Sequence, residues 1–82
     1  MNKILVTIYV ISIDEEFDLF LPISKSLSEI LESIQDSLVE LSNHNYVKKS
    51  SVLLYNTDGL LINQNNVIKY SGLKNGARIL MV

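Results

Sequence analysis

Residues 26–41, SLSEILESIQDSLVEL, leave this chain few ways to fold. Leu27, Ile30, Leu31, Ile34, Leu38 and Leu41 recur at steps of three and four, while Ser28, Glu29, Glu32, Ser33, Gln35, Asp36 and Glu40 fill the other face, the pattern of a single amphipathic helix. Ser26 can accept from the amides of the first turn and Glu29 can reach back to it, a capping box, with Pro22 and Asn43 fencing the segment on either side. Burying each large aliphatic side chain is worth roughly 1.5–3 kcal/mol, so the stripe demands an apolar surface opposite. The rest of the chain offers only strands to supply it.

The first of these is residues 4–13, ILVTIYVISI, rich in β-branched and aromatic residues and free of Gly and Pro. Asp14-Glu15-Glu16 interrupts it and residues 17–21 resume the apolar alternation up to Pro22, which predicts a hairpin turning near Asp14-Glu15. Pairing Glu16 with Ile13 sets Leu19 opposite Val10 and Leu21 opposite Ile8. It places Ile4, Val6, Ile8 and Val10 on the helix side and Leu5, Thr7, Tyr9 and Ile11 on the other, a set too apolar for a plain solvated face.

After the helix, residues 42–50 read as a polar loop. Residues 52–55 and 60–62 are short apolar runs joined by Asn56-Thr57-Asp58-Gly59, a hairpin turn. Residues 67–70 predict a helical turn laying Ile68 against the core, Gly72 and Gly76 let the backbone reverse around Leu73, and residues 77–82 form a last strand. A hairpin, a helix across one face and a final strand beside the first make an α+β fold.

With 82 residues, 48% hydrophobic and 20% charged, the chain is one small globular domain spanning 1–82. It has no cysteine, so neither disulfide nor thiolate metal site supports the core. A net charge of −2 and a pI near 5.2 argue against nucleic acid, which is bound by neutralising phosphates. The charge is split: residues 1–41 carry two lysines against eight carboxylates, net −6, and residues 42–82 carry four lysines and Arg78 against Asp58, net +4. Two solvated faces are the plain reading, and a dipole whose halves meet different partners, or each other in a homodimer, is the sharper one. Met1-Asn2-Lys3 leads directly into the β-rich run with no small-residue cleavage site after it, and no run approaches about eighteen apolar residues, so the expectation is a cytoplasmic protein without signal peptide or membrane insertion.

Two stretches carry a resemblance. Ser26-Leu27-Ser28-Glu29-Ile30-Leu31-Glu32-Ser33-Ile34-Gln35-Asp36 resembles the helix of ubiquitin, which has a Thr cap, an Ile, a Val three further on and Ile-Gln-Asp at the same spacing. Residues 68–82 align without gaps to ubiquitin's closing stretch, Ile68, Leu73, Ile79 and Met81 matching core positions and Leu80 and Val82 outward ones. In length, in the ten-residue first run and in the closing Gly-Leu-Lys-Asn-Gly-Ala-Arg-Ile-Leu, the chain looks most like the small bacterial ubiquitin-like proteins of the YukD/EsaB family, associated with type VII secretion. The resemblance covers the whole chain and implies the ubiquitin-like β-grasp fold and protein partners among secretion-system components.

The residues themselves offer no catalytic constellation. His44 is a lone loop histidine, the Asp14-Glu15-Glu16-Asp18 group lacks the spacing and Gly of a calcium loop, Gly72 and Gly76 lack the Lys-Ser/Thr of a phosphate loop, and no Ser sits in a Gly-x-Ser-x-Gly elbow. The expectation is a protein that is not an enzyme and takes no cofactor or metal. Ubiquitin and the sulfur carriers act through a Gly-Gly tail; this sequence ends at Val82 in the last strand, which disfavours the reading as sulfur carrier or protein modifier. What the resemblance carries over is the outward face: Leu54, Leu80 and Val82 fall where ubiquitin has its hydrophobic recognition patch, and the strand reading adds Leu5 and Tyr9. These five are the candidate protein-interaction residues, for a partner or for a self-associating structural module.

Overall fold

In a computed structural model, which describes residues 2–82, the first apolar run becomes a two-faced strand. β1 (Lys3–Val10) buries Ile4, Val6, Ile8 and Val10 and leaves Leu5, Thr7 and Tyr9 half-buried on the other face, as side chains at a period of two must. The strand stops earlier than expected. Ile11–Ile13 coil into one 3-10 turn closed by Asp14 in the left-handed region at φ 52°, where Asp is tolerated better than most residues. β2 (Glu15–Pro22) then returns antiparallel. The turn takes up residues that the expected hairpin pairs, so Leu19 faces Val6 and Leu21 faces Ile4, instead of Val10 and Ile8. The displacement is even, so the same side chains face inward.

α1 (Leu27–Leu41) begins as the capping box requires: Glu29 N–H donates to Ser26 Oγ at 3.3 Å and Ser26 N–H to Glu29 Oε1 at 3.1 Å. The Ser26 amide, and then its hydroxyl, hold the Glu29 carboxyl below the usual carboxylate range. Leu27, Ile34 and Leu38 enter the core, Ile30 and Leu31 pack partly against it, and Leu41, at the end of the stripe, is exposed. Gln35 departs from the pattern. Assigned to the polar face by helical period, it is buried, accepting from the Tyr46 hydroxyl and the Lys49 N–H at 2.7 Å each and donating to the Lys49 carbonyl at 3.1 Å. Those bonds draw the loop of residues 42–50 down onto α1, and Tyr46 is 2% exposed within it. Tyr46 N–H donates to Ser42 Oγ at 2.9 Å, and burial pushes its phenol pKa up.

β3 (Leu54–Tyr55) and β4 (Ala77–Met81) complete a mixed sheet of order β2-β1-β4-β3, with β4 parallel to β1 and antiparallel to β3. The expected short strand at 60–62 is a single bridge from Leu61 to Tyr55. The turn before it is held by Asn56 Oδ1, which accepts from Asp58 N–H at 2.9 Å and Leu60 N–H at 3.0 Å, with Gly59 at φ 79°. Ile68–Tyr70 form a 3-10 turn that fully buries Ile68. The helix covers one face of the sheet, and the other face is open: this is the α+β arrangement of a β-grasp.

Candidate protein-interaction surface

Strand register orders the open face into rows. Tyr9 lies opposite Glu16 on β2 and opposite Leu80 on β4, and Leu80 lies opposite Tyr55 on β3, so Tyr9, Leu80 and Tyr55 run side by side across three strands. One step along, Leu53 and Val82 exchange two backbone hydrogen bonds at 3.0 and 2.9 Å and are 48% and 41% exposed. One step the other way the row is polar: Thr7 stands between Asp18 and Arg78. Beyond it Leu5 lies opposite Phe20, which is 66% exposed.

Three pairs of polar groups border the apolar row. Thr7 Oγ1 donates to Asp18 Oδ1 at 2.7 Å, Arg78 forms an ion pair with Glu16, and the Tyr9 hydroxyl donates to Asp14. The hydrogen bond to Asp14, more than desolvation or the neighbouring negative charges, raises the Tyr9 pKa. A shallow cleft of about 190 Å³ lies beside the row, lined by Tyr9, Glu16, Asn56, Thr57, Arg78 and Leu80 among others. A contiguous apolar strip flanked by paired polar groups is suited to non-covalent docking, because water leaves its apolar part at little cost in hydrogen bonding.

Of the five candidate residues, Tyr9, Leu80 and Val82 fall in this strip, and Leu5 falls on the same face beyond the Thr7 row. Leu54 does not belong. It is 1% exposed and pairs with Met81, itself 2% exposed, so it points into the core beneath the helix. The run Val52-Leu53-Leu54-Tyr55 is apolar at both parities, and only pairing with β4 decides which side faces inward. The same pairing brings in Tyr55 and Leu53, which sequence reasoning missed.

His44 is exposed at φ 68°, and among the described residues no group of three His, Cys, Asp or Glu could hold a metal ion. Asp14, Glu16 and Asp18 turn to separate partners, Tyr9, Arg78 and Thr7. Among the described residues no helix is long and apolar enough to cross a membrane.

No protein-family model matches the chain, and no curated protein matches it by sequence. Solved structures do. The ubiquitin-like domain of the Mycobacterium tuberculosis type VII secretion system protein EccD1 superposes with a TM-score of 0.77 at 14% identity, covering 100% of this chain and 99% of that one. The EccD5 ubiquitin-like domain from Mycobacterium xenopi gives 0.80 at 12% identity, covering 100% and 94%. A component of the MycP5-free ESX-5 inner membrane complex gives 0.77 at 10% identity, with this chain spanning 21% of it. The chain has the ubiquitin-like β-grasp fold, in the form also found in the ubiquitin-like domains of type VII secretion proteins.

Proposed function

We propose that the chain is a non-enzymatic, cytoplasmic protein-binding module whose open sheet face docks a component of a type VII secretion apparatus, as an accessory or regulatory part. The observation that supports this most is the strip of Tyr9, Leu80, Tyr55, Leu53 and Val82, five apolar or aromatic side chains adjacent across three strands on the face the helix leaves uncovered. Aromatic and aliphatic anchors on a flat, rigid sheet are what a protein interface uses. The secretion context is supported by the similarity in fold to the EccD domains and by the resemblance to the YukD/EsaB proteins.

The test is a Leu80→Asp, Val82→Asp variant titrated against the soluble domains of the secretion membrane complex. Removal of a buried anchor commonly costs 2 kcal/mol or more, so the expected loss of affinity is about thirtyfold, with circular dichroism unchanged. A folded variant that binds at full affinity overturns the reading. A concentration-dependent dimer of the unmodified protein that the same variant abolishes would identify the partner on this face as a second copy.

A further inference from the structure

The two edges of the sheet are finished differently. β3 is two residues long, and the chain itself folds back over it through the Tyr55–Leu61 bridge and the Ile62 N–H, which donates to the Leu54 carbonyl at 2.8 Å. β2 is eight residues long and ends the sheet on the other side, and among the described residues no strand pairs with its outer edge. A free edge presents backbone N–H and C=O groups at the repeat of an extended peptide.

This edge also opens onto a cleft of about 190 Å³ between β2 and α1. Leu19, Leu21, Ile30 and Ile34 form its apolar part, and Ser33 and Ser37 line it from the helix. The cleft therefore offers both halves of strand addition: a backbone ladder for affinity and a trough for alternate side chains. Phe20 stands 66% exposed beside it.

Charge selects the occupant. The cleft continues along Asp18, Asp36 and Glu40, and α1 carries Glu29, Glu32, Asp36 and Glu40 with no lysine or arginine. Lys48 pairs with Asp36 at 2.6 Å and with Glu32 at 3.7 Å, while neither Asp18 nor Glu40 meets a cation among the described residues. A second copy pairing β2 to β2 would bring two acidic helices together, whereas a basic segment would find complementary charge. From the free β2 edge, the apolar cleft and its acidic rim together, we infer that this cleft is a docking site for an extended protein segment with alternating apolar side chains flanked by lysine or arginine, added to the sheet as a fifth strand. The site is on the opposite side of β2 from β1 and is independent of the Tyr9–Leu80–Tyr55 strip.

The experiment uses the 15N-labelled chain and two synthetic peptides, Lys-Lys-Val-Ser-Ile-Thr-Val-Lys-Lys and its counterpart with Glu for every Lys. The basic peptide is expected to shift the amide signals of Leu19, Leu21, Ile30 and Ile34 and to slow hydrogen exchange along β2. The acidic one is expected to bind at least tenfold more weakly at low salt. A Ser33→Arg, Ser37→Arg variant, which alters the rim and no core residue, should weaken the basic peptide about tenfold or more. Equal binding of the two peptides, shifts confined to the Tyr9–Leu80–Tyr55 face, no shift at millimolar peptide, or dimerisation through β2 would each overturn the inference. The comparison of peptides on the unmodified chain decides the matter even if the double variant fails to fold.

Discussion

Across β1 the inner side chains Ile4, Val6, Ile8 and Val10 are at most 6% exposed, while Leu5 and Tyr9 on the outer face remain half-buried. The contrast repeats at the other side of the sheet, where Leu54 is 1% exposed and Leu80, one register step away on the neighbouring strand, is half-buried. At these apolar positions residue type does not separate the two faces, although the outer one also carries the polar row of Thr7, Asp18 and Arg78. The inner one is closed by Leu27, Ile34 and Leu38 of the helix and is a core; the outer one has nothing laid over it and is available as a surface.

The strongest way to break that comparison is to put the same charge on each side. Leu54→Asp removes a buried side chain, for about 2–5 kcal/mol, and adds an unpaired carboxylate to the core. Net stability for a chain of this size is on the order of 4–12 kcal/mol, so the variant should be unfolded by circular dichroism at 25 °C. Leu80→Asp alone should shift stability by about 1 kcal/mol or less in urea titration. If the two variants melt alike, the assignment of inner and outer faces is wrong.

A smaller effect concerns what ties the loop of residues 42–50 to the covered face. Gln35→Ala leaves the Tyr46 hydroxyl and the Lys49 amide and carbonyl without their partner, which should cost about 1–3 kcal/mol. Hydrogen exchange should quicken at Tyr46 and Lys49 while β1 keeps its protection relative to global unfolding; an unchanged melting temperature would show that the loop holds itself.

The smallest effect is a pH dependence. Burial raises the Tyr46 pKa, so the folded state disfavours its phenolate. Stability from this group is complete below the unfolded value of about 10 and is lost as pH rises past it toward the folded value. Urea midpoints measured from pH 9 to 11 should fall, and Tyr46→Phe should flatten the fall. A slope identical in the two proteins would place the alkaline sensitivity elsewhere.

The helix, its capping box and the inward parity of β1 were legible because each rests on a local period that many residues repeat. What failed rested on a local departure from propensity at one turn or on pairing between separate segments. Nothing in Ile11-Ser12-Ile13 says that the chain will coil there, since isoleucine favours a strand, and the hairpin register followed that error. Leu54 stood in a run with no alternation to read. Gln35 carried a faint signal, lying next to Ile34 at the margin of the stripe, as did Tyr46, a lone aromatic in a polar loop. Their hydrogen bond could not be found from either alone. Of the five candidate interaction residues, the register unites Tyr9, Leu80 and Val82, puts Leu5 beyond a polar row and removes Leu54.

The parallel pairing of β1 with β4 sets Val6 beside Ala77 and Val10 beside Met81, joining two segments separated by most of the chain. During synthesis β1, β2 and α1 emerge long before β4, and until it arrives one side of β1 is an unfilled edge above a partly built core. Closing so long a loop delays the contacts that reward it. The sheet therefore closes late, and a chain halted before residue 77 exposes the β1 edge to aggregation.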